Sequence, residues 1–188
     1  DSICQIAHDN NCRAHLDGAR LFNATVASNI RPDRMVQNFD TISICLSKGL
    51  GSPVGSLLVG DSKTIAEAHR WRKIFGGGMR QSGILAAAGL YALKNNIDRL
   101  HEDHSRAFKL AESVNSMNGF EVDISSVQSN MAYITCQNKS ASTVVSELGN
   151  QGIDVLSIND DVVRAVTHLH ITDEDISRTI DAFKNIST

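Results

Sequence analysis

The sequence predicts an α/β architecture, a layered α/β region over residues 1–96 followed by a smaller α+β domain over residues 97–188, and three observations predict it. Up to about Asn96, short β-rich runs alternate with helical patterns, as in a layered domain. Beyond it, a long helical stripe precedes the order strand, strand, helix, strand, strand, helix, which suggests an antiparallel sheet covered on one side. The composition is that of a folded chain: 188 residues are enough for a real core, with 41% hydrophobic and 21% charged residues, two prolines and no low-complexity tract.

The chain opens on DSICQIAHDNNC, which reads as the tail of a helix already under way and sets the expectation that an N-terminal portion precedes it. Residues 13–16 are a strand candidate ending at the polar Asp17. A helix is expected from Ala19, and Pro32 suits the first turn of another short one. TISICLS, residues 41–47, is apolar and β-branched without polar alternation, as in a strand buried on both faces. SLLVG, residues 56–60, is a further strand. From Asp61 the pattern is helical as far as Phe75, is broken by Gly76, Gly77 and Gly78, and resumes over residues 84–93.

The second region begins with a helix over roughly residues 97–117, in which Ile97, Leu100, Phe108, Ala111 and Val114 form a stripe. Gly119 suits its C-terminal turn. Strands are expected at residues 120–124 and 131–136, a helix near residues 142–150 closed by Gly152, strands at residues 153–156 and 162–167, and a last helix capped by Thr172.

Composition also excludes some functions. A formal net charge of −3 without any basic run argues against nucleic-acid binding. Cys4, Cys12, Cys45 and Cys136 contain no CxxC pair and read as reduced thiols. The apolar runs are too short for a membrane span, and no basic-then-apolar leader is present, so the reading is a soluble cytoplasmic protein.

Three motifs carry chemistry. HLDGAR puts Asp17 just past a strand and Arg20 three residues later, where ligands bind at the carboxyl ends of parallel strands; the same Asp-Gly pair is also ordinary turn chemistry. SKGLGSPVGS puts Lys48 directly after the next strand, flanked by Gly49 and Gly51. That lysine is either a solvated rim residue or an amine beside a ligand, desolvated and ready for imine formation. An acid one strand away and a lysine together are what a pyridoxal cofactor requires. GGGMRQSG opens a helix with Arg80 expected in its first turn, either a phosphate-holding loop or a plain helix–helix turn; no Lys-Ser or Lys-Thr closes it as in a Walker A loop. His101 and His104, at helical spacing beside Glu102 and Asp103, and His168 and His170, at strand spacing, form only pairs. Zinc requires three or four convergent ligands, so no metal site is assigned and solvated histidines are expected.

HLDGARLFNA, CLSKGLGSPVGS, RKIFGGGMRQSGILAAAGL and VVRAVTHLHIT, in this order, resemble the threonine aldolases, which belong to the fold type I, aspartate-aminotransferase-like enzymes dependent on pyridoxal 5′-phosphate (PLP). The resemblance implies the C-terminal part of a fold type I large domain plus a smaller α+β C-terminal domain. It implies that Asp17 pairs with the pyridine nitrogen, that Lys48 holds the cofactor as a Schiff base, and that Arg80 helps hold the phosphate, either within its own subunit or across a subunit boundary. Arg20 and Arg164 would bind the substrate carboxylate, Arg20 lying also beside the cofactor. The implied reaction cleaves threonine or allo-threonine to glycine and acetaldehyde, in a homo-oligomer, dimer or tetramer. The family's glycine–threonine phosphate loop and its ring-stacking and proton-transferring histidines, which precede HLDGAR, have no match here, and no residue stands out as the base. Two further readings remain: a fragment or truncated isoform that only associates with a full-length subunit, and another fold type I lyase or a relative of serine hydroxymethyltransferase.

Overall fold

The computed structural model describes residues 1–187 and divides into two compact units, Asp1–Asp98 and Arg99–Thr188. In the first unit, α1 (Ser2–Asp9) leads to β1 (His15–Gly18), followed by α2 (Leu21–Ser28), α3 (Pro32–Val36), β2 (Thr41–Cys45), β3 (Ser56–Gly60), α4 (Ser62–Ile74) and α5 (Gly83–Asn95). β1 and β2 are parallel, with Asp17 opposite Ser43 and Gly18 opposite Ile44; β3 runs antiparallel to β2.

Local chemistry explains these elements. Pro32 occupies the first turn of α3, where its missing N–H costs nothing. Asp40 fixes the base of the parallel pair: its Oδ2 accepts the Ala14 N–H at 2.7 Å and lies 3.0 Å from His8 Nε2. Asp61 caps α4 by accepting the Thr64 N–H at 2.9 Å. The helix stops at Gly76, whose φ of 86° lets the Gly76 and Gly77 N–H groups turn back onto the Lys73 and Arg72 carbonyls.

The expectation that the TISICLS strand is buried on both faces is corrected. Within β2 only Ile42 is fully buried, and every residue of β3 is exposed, Leu57, Leu58 and Val59 included. A continuous apolar run predicts cover on both faces, but the helices of this unit leave much of the three-stranded sheet uncovered.

The second unit contains α6 (Leu100–Asn115), β4 (Phe120–Glu121), a 3-10 turn (Ile124–Ser126), β5 (Met131–Cys136), α7 (Ala141–Gly149), β6 (Leu156–Ser157), β7 (Val162–Val166) and α8 (Asp173–Ile186). Its sheet, in the order β4-β5-β7-β6, is antiparallel throughout. One face is packed: Ala132, Ile134, Cys136, Val163 and Ala165 are buried, whereas Tyr133 on the opposite face is 41% exposed. Phe120 and Phe183 meet edge to face at 5.2 Å, tying β4 to α8. Gly119 and Gly152 both have positive φ, as expected of residues that close helices.

Two expectations about α6 are corrected. It begins at Leu100, leaving Ile97 before it, and Phe108 is not on its buried stripe. Leu100, Ala107, Leu110, Ala111 and Val114 are buried; at 3.6 residues per turn Phe108 lies roughly 100° from the centre of that stripe. The stripe includes a carboxylate, Asp103, which is fully buried and bidentate to Arg99. β4 and β6 are also shorter than expected, two residues each, because a 3-10 turn follows Phe120–Glu121 and residues 152–155 have no ladder partner.

Candidate active site

The parallel register of β1 and β2 points the carboxyl ends of the two strands the same way, one carrying Asp17 and the other leading into the loop of Lys48. Asp17 is the third residue of β1, exposed, and its Oδ1 accepts the Ala19 N–H at 3.1 Å. The turn and the acid are therefore one feature, since the hydrogen bond that shapes the turn also orients the carboxylate. Gly18 is obligatory here: a Cβ at that position would lie 2.7 Å from the Ser43 carbonyl oxygen of the neighbouring strand.

Lys48 follows β2 in a closed loop. The Leu46 N–H donates to Gly55 O and the Ser52 N–H to Leu46 O, both at 2.9 Å, and the Gly51 N–H donates to Lys48 O at 2.9 Å. Gly51 and Gly55 have φ of 70° and 118°, conformations that favour glycine. The loop is thus closed by three backbone hydrogen bonds, with Leu46 and Leu50 buried, while the Lys48 side chain is exposed and its ammonium makes no hydrogen bond or ion pair among the described residues. Of the two readings of Lys48, the first unit by itself shows the solvated rim residue, since the side chain is exposed. Cys45, at the end of β2, is shifted in two directions: burial raises its thiol, but hydrogen bonds with Ser47 and the nearby Lys48 charge outweigh it, and the net shift is downward.

Arg20 occupies the N-cap position of α2, and its Nε is buried without a partner. Arg164 lies on β7, cross-strand from Tyr133 and Leu156, on the sheet face opposite the packed core, and its Nε is also buried without a partner. Among the described residues four buried side-chain polar atoms are unsatisfied, and two of them are these guanidinium nitrogens. A buried donor left unpaired is costly unless a ligand completes it.

Arg80 is exposed in the loop before α5. The helix begins at Gly83 after Ser82 at the N-cap, so the expectation of Arg80 in the first turn is corrected by about one turn, and it makes no polar contact among the described residues. His168 and His170 are also not on a strand: β7 ends at Val166, and the two rings meet edge to face at 5.7 Å with the His170 N–H donating to His168 Nδ1 at 3.3 Å.

Sequence reasoning missed two residues at the Lys48 loop and one at the opposite end of the strands that lead to it. Ser52 is buried with an unpartnered Oγ, Asn96 donates from Nδ2 to Leu50 O at 2.7 Å, and Asp40 anchors the strands that carry the site. Only Asp40, a polar residue immediately before a strand, left any local signal.

The donor set fits PLP. An acid near the carboxyl end of β1 and an unpaired lysine in the loop after the carboxyl end of the adjacent parallel β2 belong to the first unit, and the unpaired Arg20 Nε is a donor suited to an anion. Among the described residues no helix is long and apolar enough to cross a membrane.

Comparison with solved structures defines the class first: the fold is that of fold type I enzymes. It matches a threonine aldolase of Leishmania major with a TM-score of 0.76 at 19% identity, over 98% of this chain and 54% of that one. An archaeal O-phosphoseryl-tRNA(Sec) selenium transferase matches at 0.73 and 16%, over 98% of this chain and 48% of that one, so the fold alone does not decide the reaction. The particular family comes from sequence. Residues 1–137 match the Beta-eliminating lyase family model, and the chain belongs to that family. Among curated relatives it is 39% identical to low-specificity L-threonine aldolase 1 of Arabidopsis thaliana, over 98% of this chain and 52% of that protein. It is 44% identical to the low specificity L-threonine aldolase of Escherichia coli (strain K12), over 92% of this chain and 50% of that protein. The chain spans about half the length of the curated relatives it matches.

Proposed function

We propose that this chain carries part of the machinery of a PLP-dependent aldehyde-lyase that cleaves threonine or allo-threonine to glycine and acetaldehyde. The observation that supports this reading is the parallel β1–β2 register, which puts Asp17 near the carboxyl end of β1 and the loop carrying Lys48 after the carboxyl end of the adjacent β2, with the lysine ammonium making no hydrogen bond or ion pair among the described residues. The identity to low-specificity L-threonine aldolases supports the choice of substrate.

Each residue has a role set by its chemistry. Lys48 Nζ would hold the cofactor through its aldehyde carbon, and the closed loop around it keeps the amine at the strand end. Asp17, oriented by the Ala19 N–H, would keep the pyridine nitrogen protonated. Arg80 would hold the phosphate by charge-assisted hydrogen bonds, reaching across a subunit boundary in a dimer or tetramer. Arg20 and Arg164 would hold the substrate carboxylate, their unsatisfied Nε atoms supplying the donors. When bound, PLP supplies an electron sink for the pair released as Cα–Cβ breaks. A fixed carboxylate decides which Cα bond stands perpendicular to the ring, and orientation of this kind is worth several kcal/mol of barrier. No residue of this chain is assigned the removal of the β-hydroxyl proton. Free cysteines suit a cytoplasmic setting, where the reaction would supply glycine.

Incubation with PLP, borohydride reduction and peptide mapping test the cofactor assignment. The expected result is the cofactor mass on Lys48; a label on Lys63 or Lys73 instead overturns it. Acetaldehyde release from threonine tests the reaction, and protein that is labelled at Lys48 but releases none overturns the lyase reading while leaving the cofactor site.

A further inference from the structure

The loop that carries Lys48 is gripped from below by one helix, α5, at two separated points. Near the middle of α5, Gly89 is buried, and a Cβ there would lie 3.1 Å from Leu46 Cδ1 and 4.0 Å from Ser52 Oγ, so the helix backbone passes directly under the two residues where the loop closes. At the C-terminal end, Asn96 donates from Nδ2 to the Leu50 carbonyl at 2.7 Å in a half-buried setting. Leu50 is 3% exposed and lies inside the turn whose first carbonyl, that of Lys48, accepts the Gly51 N–H. A buried carbonyl in a turn has no ladder partner, so without the carboxamide of Asn96 it would lose its donor.

We propose that Asn96 is a positioning residue for Lys48, acting through the Leu50 carbonyl to hold the turn from which the lysine projects. The inference rests on the reading of Lys48 as the cofactor lysine. Asn96 also closes α5, with its own N–H on Ala92 O at 2.9 Å, so a helix-ending role and a positioning role must be separated. Asn95 supplies the comparison: it is exposed, and its carboxamide reaches back only to Tyr91 O.

The test uses the natural protein carrying this sequence, loaded with PLP, as unsubstituted protein, Asn96→Asp, Gly89→Ala and Asn95→Ala. Asn96→Asp keeps the shape but turns an acceptor toward the Leu50 carbonyl. It should raise hydrogen exchange at the Gly51 and Ser52 amides about fivefold, as the loss of one hydrogen bond predicts. It should also slow borohydride trapping on Lys48 and move the pH at which the bound-cofactor absorbance changes. Gly89→Ala pushes on Leu46 from the same helix and should change the same readouts if Asn96→Asp folds poorly; Asn95→Ala should change none. If Asn96→Asp and Gly89→Ala lower only the melting temperature and leave the loop exchange, trapping rate and pH profile unchanged, the inference is overturned and the cofactor reading stands. No label on Lys48 in the unsubstituted protein overturns both.

Discussion

In the proposed site, Asp17 would serve geometry and chemistry with one side chain. Its carboxylate orients through the Ala19 N–H, and Asp17→Asn keeps that acceptor while losing the charge. A neutral amide cannot hold the pyridinium proton, so this variant should still bind PLP and should lower kcat more than it raises KM, as steady-state kinetics would register. Arg164→Ala should act oppositely, weakening amino-acid binding with little change in kcat, because one charge-assisted contact of roughly 1.5–3 kcal/mol is lost. An unchanged KM would remove Arg164 from the carboxylate site. The identities of Asp17, Arg20, Lys48 and Arg80 as candidates were legible because each sits in a motif with a chemical meaning, whereas Arg164 was legible only through the family resemblance. The exposure of Lys48 and the unpaired state of Arg20 Nε and Arg164 Nε were not, because they depend on what packs around a side chain rather than on its neighbours in sequence.

At the scale of elements, legibility follows local chemistry. Pro32 opening α3, the glycines ending α4 and Thr172 opening α8 are all visible in sequence, because caps are decided within a few residues. Strand length and burial were read less well: β4 and β6 are two residues each, and β3 is exposed, since ladders need partners that are distant in sequence. The α8 cap gives a quantitative expectation. Thr172 Oγ1 accepts the Asp175 N–H at 3.2 Å and the Asp175 carboxylate accepts the Thr172 N–H at 2.9 Å, so Thr172→Ala should cost about 1 kcal/mol at neutral pH, measurable in a thermal melt. Those hydrogen bonds to Thr172, its backbone N–H first, hold the Asp175 carboxyl below its ordinary value. A depressed carboxyl stabilises the fold above its unfolded value and loses that contribution as pH falls through the folded value. Thr172→Ala keeps the backbone N–H to the Asp175 carboxylate but removes the Oγ1 donor 2.8 Å from it, so its penalty should shrink in acid; a penalty independent of pH would mean that the bond from Thr172 Oγ1 to the Asp175 carboxylate contributes nothing.

At the scale of the whole molecule, the two units differ in how they are built. The second has a continuous buried cluster running from Ala107 to Ile186 around a four-stranded sheet, whereas the first has three strands and leaves β3 open. Stability differs across a structure with buried contact. Hydrogen exchange on the 188-residue chain should accordingly show the slowest amides in β5, β7, α6 and α8 and much faster exchange from Arg13 to Gly60. Uniform protection across both units would contradict this division of packing.

The parallel pairing of β1 and β2 also has a consequence in time. β1 and β2 are separated by a crossover containing α2 and α3, and the strand ends that precede the Asp17–Ala19 turn and the Lys48 loop come side by side only once that loop has closed and the strands have found their register. Non-local parallel pairing is among the slower steps of folding, because the chain loses entropy before any contact compensates it. Local helices form far sooner. On the proposed assignment of Asp17 and Lys48, cofactor capture would come only late in the refolding of this unit, and it would mark completion of the topology rather than the appearance of secondary structure.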